Sequence, residues 1–144
     1  MLRWGAAAGI LLVAAGAMVA SSARSGPVIR TASQFVVGTP EDGTAVRVDT
    51  TVYFPEATPA PAVLLAHGFG GSKTDLDTEA RSLAASGYVV LAYTARGFGR
   101  SGGLIHLDAP SFEVADASAL VSYLATLPQV LKDSPGDPRI GVAG

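Results

Sequence analysis

Three short apolar runs, each ending in glycine, set the strongest limit on what this chain can fold into. Ala62-Val63-Leu64-Leu65-Ala66 runs into His67-Gly68-Phe69-Gly70-Gly71, Tyr88-Val89-Val90-Leu91-Ala92-Tyr93 runs into a glycine-rich stretch reaching Gly103, and Ile140-Gly141-Val142-Ala143 runs into Gly144. A strand-length apolar run without polar alternation is the pattern of a strand covered on both faces. Between the first two runs, Leu76, Ala80, Leu83 and Ala84 recur at helical spacing, and Asp75, Asp77 and Glu79 lie where a helix dipole favours negative charge. Gly87 is placed to cap that helix. Between the second and third runs, Val114, Ala117, Val121 and Leu124, flanked by Leu120 and Leu127, mark a helix from about Ser111 to Leu127, which Pro128 ends.

The segment before the first run reads differently. Gln34-Phe35-Val36-Val37 and Ala45 to Phe54 are strand-like and are separated by Gly38 and the turn formers Pro40-Glu41-Asp42-Gly43, so an antiparallel hairpin is predicted. Pro55, Pro59 and Pro61 keep Glu56 to Ala60 out of a sheet interior, as a surface connection. Pro135-Gly136-Asp137-Pro138 is read as a turn. The fold class is α/β: an antiparallel hairpin followed by parallel strands, with helices carried to both faces by right-handed crossovers.

Trp4 to Ala20 is uncharged and mostly Ala, Leu, Val and Ile, with Arg3 before it and Ser21-Ser22-Ala23-Arg24 after it. This is the pattern of an export leader, either a signal peptide cut after small residues or a retained membrane anchor through residues 4–20, which lies at the short end of the ~17–25 residues that span a bilayer. Residues 1–23 are therefore read as leader, 24–32 as linker and 33–144 as a partial folded domain, secreted or held on the outer side of the cytoplasmic membrane. Once a leader is removed, roughly 120 residues remain, which is small for a doubly covered parallel sheet. A net charge of −2 without any run of Lys or Arg excludes a nucleic-acid partner. The absence of cysteine removes disulfides, thiolate metal sites and a catalytic thiol. His67 and His106 are far apart in sequence, with no local carboxylate cluster, so no metal or cofactor is expected.

Chemistry is expected at the glycine loops. Backbone N–H groups in a glycine-rich turn can approach an oxygen that becomes negative during acyl transfer, because no side chain intervenes. Gly68, Phe69 and Gly70 suit that role at the carboxyl end of a buried strand, with the Phe69 N–H as the named donor. A phosphate cradle is the rival use of Gly68 to Thr74, but Ser72 stands where that motif needs glycine before Lys73. No dinucleotide-binding fingerprint stands on the earliest strand either.

The HGFGG loop after the third strand, the RGFGRSGG loop after the fourth and the DPRIGVAG lead-in agree in order and spacing with the α/β-hydrolase family, which the chain resembles over Gln34 to Gly144. Within it, the chain is most similar to the Xaa-Pro dipeptidyl-peptidase and cocaine-esterase-like group. The resemblance implies that Phe69 supplies one oxyanion N–H, that His67 is a structural residue beneath the loop and not the base, and that Gly144 begins the G-x-S-x-G nucleophile elbow. The serine, acid and base would then follow Gly144. Some members of the group donate a tyrosine hydroxyl from this loop, for which Phe69 has no equivalent. The aspartate often found before RG-x-G is replaced here by Thr94 and Ala95.

His106, with Asp108 or Asp116, invites assignment as base and orienter, but a locally bonded or solvated His106 and an Asp116 serving helix packing or a surface contact are the favoured readings. Ser72 and Ser101 are read as loop hydrogen-bonders. Arg96 and Arg100, which could neutralise an acidic substrate or pair with a carboxylate outside this segment, are read as structural. The expectation is an exported serine hydrolase of small ester or peptide substrates, lacking its nucleophile in this segment and so inactive alone. The alternative is a non-catalytic exported binding or accessory module.

Overall fold

The computed structural model describes residues 26–144, so the expected leader, residues 1–23, lies outside the described residues. In chain order the elements are β1 (Arg30–Val37), β2 (Arg47–Phe54), β3 (Ala62–Leu65), α1 (Asp77–Ala85), β4 (Val89–Tyr93), α2 (Glu113–Thr126), β5 (Lys132–Ser134), β6 (Asp137–Pro138) and β7 (Ile140–Ala143). Five strands form one sheet in the order β1-β2-β4-β3-β7. The hairpin β1–β2 joins β4 antiparallel, whereas β4–β3 and β3–β7 are parallel.

Alternation along the central strands places the helices on opposite faces. Val89 and Leu91 of β4, with Leu64 of β3 and Val52 of β2, pack with Leu120 and Leu124 of α2. Val90 and Ala92, with Leu65 and Tyr53, pack with Ala80 and Ala84 of α1. Because side chains of a strand point alternately to its two faces, an uninterrupted apolar run is what a strand between two helices requires. Each fully buried Leu or Val in these two layers contributes about 1.5–3 kcal/mol of transfer free energy.

Four expectations need correction. β1 starts at Arg30, taking in residues read as linker, because Arg30 to Ser33 pair with Phe54 to Thr51 although their side chains stay exposed. An exposed edge strand carries little hydrophobic signal. In α2, Val114 is exposed and Asp116 takes a buried position beside Leu120 and Leu124, shifting the apolar stripe. Ala60 is buried and bridged to Val130, with Ala60 N–H donating to Gln129 O at 2.9 Å and Leu131 N–H to Ala60 O at 2.8 Å, so the proline-rich connection is anchored at its end. Finally, the turn at Pro135–Gly136 joins a small separate hairpin, β5–β6, where only a turn was read.

Candidate active site

The site gathers at the carboxyl ends of the parallel strands. Ala66 N–H donates to Ala143 O at 2.8 Å, which carries the β3–β7 pairing to the last residue before each glycine segment. After β3 the chain turns back at once: Gly71 N–H donates to Gly68 O at 3.0 Å, with Gly70 at φ +81 in the third position. This is the pattern of a type II β-turn, which needs a residue tolerant of positive φ there. A Cβ on Gly70 would meet nothing within 4 Å, so its backbone angle alone calls for glycine. Among the described residues, the N–H groups of Gly68, Phe69 and Gly70 make no hydrogen bond, and they lie at the end of the strand where a ligand can approach. Gly144 is constrained by space, since a Cβ there would sit 2.9 Å from Ala66 Cβ and 3.1 Å from Ala66 O. The two sequence-predicted glycine segments are therefore adjacent, at the ends of neighbouring strands.

His67 lies under the turn with both ring nitrogens engaged. Nδ1 is 2.7 Å from Gly68 O, and Ala95 N–H donates to Nε2 at 2.9 Å. Phe98 meets the His67 ring edge-on at 5.6 Å between centroids and meets Phe69 edge-on at 5.3 Å. Phe69 is 82% exposed. Beside it opens a cleft of about 200 Å³, walled by Phe69, Phe98, Ile105 and Leu107, with His67, Asp108 and Glu113 completing the lining.

The far wall of that cleft is stapled by two carboxylates. Glu113 accepts the N–H groups of His106 at 2.7 Å and Ala109 at 2.9 Å. Burial works against ionisation of Glu113, but these backbone bonds outweigh it and hold its carboxyl below the usual range. Glu41, from the β1–β2 turn, accepts Leu104 N–H at 2.8 Å and pairs with His106 Nε2 at 2.5 Å. The His106 bond is the leading cause that holds Glu41 below the ordinary value, against desolvation. Between these anchors Leu107 and Asp108 take positive φ values of 54 and 59. His106 also stacks on Phe112 at 3.8 Å. Its ring is tied to Glu41, 65 residues earlier, where the sequence suggested a solvated or locally bonded histidine.

Arg96 and Asp116 form a buried pair. Arg96 Nε donates to Asp116 Oδ2 at 2.7 Å and Nη2 to Oδ1 at 2.8 Å, while Nη2 also reaches Thr39 O at 2.9 Å. Thr39 N–H donates to Asp116 Oδ1 at 2.6 Å. Arg96 is thus structural, and its carboxylate partner lies within this segment. Asp116 is buried in α2, so of its two readings, helix packing or a surface contact, the structure fits the first. Arg100 is mostly exposed, over the Phe35 ring and 4.0 Å from Asp49 Oδ2.

Lys73, the residue that made Gly68 to Thr74 look like a phosphate loop, points away from the glycines. Its Nζ donates to Asp49 Oδ1 at 2.7 Å and Thr50 O at 2.9 Å. Ser101 Oγ donates to Thr94 O at 2.6 Å and accepts Asp49 N–H at 2.9 Å, and Ser72 bonds Thr74 and Asp75. Both serines are loop hydrogen-bonders. Glu41, Asp49 and Glu113 were missed as organisers of these loops: Glu41 and Asp49 bind amides and cations far away in sequence, and Glu113 caps the nearby amides of His106 and Ala109 from the first turn of α2.

A mixed sheet in this order, covered on both faces and carrying its turns at the carboxyl ends of the parallel strands, is the architecture of the α/β hydrolases. Solved structures agree: a hypothetical protein of Pseudomonas aeruginosa superposes with TM-score 0.63 at 25% identity, over 83% of this chain and 36% of its own. An esterase of Pyrococcus furiosus superposes with TM-score 0.56 at 25% identity, over 77% of this chain and 39% of its own. Sequence narrows the class: the chain belongs to the X-Pro dipeptidyl-peptidase (S15) family, whose profile matches residues 42–144. Among curated relatives, an uncharacterized Escherichia coli K12 protein is 35% identical over 69% of this chain and 33% of its own length. A monoacylglycerol lipase of Mycolicibacterium smegmatis is 36% identical over 66% of this chain and 32% of its own. The chain spans about a third of the length of the curated relatives it matches.

Proposed function

We propose that this chain is the amino-terminal part of an exported serine hydrolase that cleaves a small ester or a peptide or amide bond. The observation that carries the reading is the pairing of two glycine segments at the ends of β3 and β7: a turn whose Phe69 N–H is uncommitted, next to a Gly144 that tolerates no side chain against Ala66. In this reading Gly144 opens the elbow, and a serine two residues later attacks the substrate carbonyl. The carbonyl oxygen becomes negative and receives the Phe69 N–H, with a second donor from the elbow. The cleft beside Phe69 takes the group next to the scissile bond, and its apolar walls favour an uncharged aliphatic or aromatic group. The acid and base follow the serine, so residues 1–144 alone bind but do not turn over. Trp4 to Ala20 supports export, as a signal peptide or an anchor.

Turnover of a p-nitrophenyl acyl ester and of an Xaa-Pro p-nitroanilide tests this. A longer protein continuing past Gly144 hydrolyses at least one of them, and the 144-residue chain hydrolyses neither. Turnover by the short chain, or none by the longer one on any acyl substrate, contradicts the proposal.

A further inference from the structure

His67 does more than fill space under the turn. We infer that His67 is a positioning residue whose protonation state locks or releases the glycine turn, an inference that rests on Phe69 N–H being the oxyanion donor. Its two ring nitrogens have opposite tasks. Ala95 contributes a backbone N–H that can only donate, so Nε2 must be a bare acceptor. The proton of the neutral ring then sits on Nδ1, where it donates to Gly68 O. That same carbonyl accepts Gly71 N–H and closes the turn. One tautomer therefore ties the turn to itself and to the loop after β4. The edge-on contacts of Phe98 with both His67 and Phe69 hold the ring in that orientation.

A second proton removes the lock. In the imidazolium both nitrogens donate, the Nε2 proton points at the Ala95 amide, and that amide loses its acceptor. The turn keeps its Gly68–Gly71 bond but loses its tether to the loop after β4, and with it the fixed direction of Phe69 N–H. The charged groups facing the ring are carboxylates: Asp108 and Glu113 across the cleft, and Asp75 on the far side of the turn, whose Oδ2 accepts Ser72 N–H at 2.7 Å. No cation lines the cleft among the described residues.

Nuclear magnetic resonance on the 144-residue chain tests this without any catalysis. Ring nitrogen shifts should show Nδ1 protonated and Nε2 bare at neutral pH, and the exchange protection of the Ala95 amide should fall at least tenfold over the pH range in which His67 gains its second proton. His67→Gln, whose side-chain carbonyl can accept from Ala95, should keep that protection and abolish the pH step. An Nε2-protonated tautomer at neutral pH overturns the inference, as does Ala95 protection that is indifferent to the charge on His67. If the step is present but deletion of the Phe69 N–H leaves turnover of the longer protein intact, the clamp stands and the oxyanion reading falls.

Discussion

Proline at position 69 isolates the chemistry of one backbone N–H from everything else that residue does. Phe69 occupies the second position of a turn closed by Gly68 and Gly71, with the positive φ at Gly70, and proline is favoured at that position of a type II turn. The Phe69 ring is 82% exposed, so truncating it gives up only about a fifth of the ~1.5–3 kcal/mol that full burial of such a side chain supplies. The edge contact with Phe98 adds about 0.5–1.5 kcal/mol, and the stiffer unfolded chain returns about 0.4–1 kcal/mol. No hydrogen bond of the described residues is lost with the N–H. Phe69→Pro should therefore lower the unfolding free energy in urea by no more than about 2 kcal/mol. In a longer protein that carries the serine, it should lower kcat by about 10²–10³-fold, the cost of removing one oxyanion donor. Phe69→Ala keeps the N–H and loses the same ring, so it should retain kcat within a few-fold. Steady-state hydrolysis of an activated acyl ester reads all three proteins. Equal kcat in the proline and alanine variants refutes the donor assignment.

Other consequences concern the frame that holds the site. Asp116→Ala leaves the buried Arg96 guanidinium with only Thr39 O as a hydrogen-bond partner and Glu41 Oε2 at 3.8 Å as its counter-charge, and should destabilise by about 3 kcal/mol in urea unfolding, whereas the double change Arg96→Met with Asp116→Leu should recover most of that loss. Burial first, and then its bond to the Asp77 carboxylate, push the Tyr53 hydroxyl up to about 12 from 10. Its folded value is raised, so stability is level below pH 10 and declines as pH rises toward about 12; Tyr53→Phe should flatten that alkaline decline. Gly87 closes α1 at φ +98, with Gly87 N–H to Ala84 O at 3.0 Å and Tyr88 N–H to Leu83 O at 3.2 Å, and a Cβ there would meet open space. Gly87→Ala should cost about 1–2 kcal/mol, from the backbone angle alone, by thermal or urea unfolding.

The parts of the fold that were readable from sequence are those whose cause is local. β3 and β4 announce themselves because a strand between two helices must be apolar on both faces, and Gly70 and Gly87 because a positive φ leaves few other residues; β7 carries the same apolar run but stands at the sheet edge of the described residues with Val142 exposed, against the reading of a strand covered on both faces. Arg30 to Ser33 gave no such sign, since their strand is defined by backbone pairing at an exposed edge. Asp116 broke the expected stripe of α2 because its burial depends on Arg96, 20 residues earlier, and a paired charge looks polar in any one-dimensional pattern. The candidate site divides the same way. Glycines 68, 70 and 144 were legible, while the links that orient them were not: Ala95 reaches His67 across 28 residues and Glu41 reaches His106 across 65. Such links exist only once the sheet order brings the loops after β3 and β4 to one edge.

The most direct test is the site of covalent capture by a fluorophosphonate in a protein that continues beyond Gly144. Peptide mass mapping should place a single stoichiometric adduct on a serine two residues after Gly144, and the 144-residue chain should remain unlabelled. An adduct on Ser72 or Ser101, or full reactivity of the short chain, contradicts the assignment of these two glycine segments to one acyl-transfer centre.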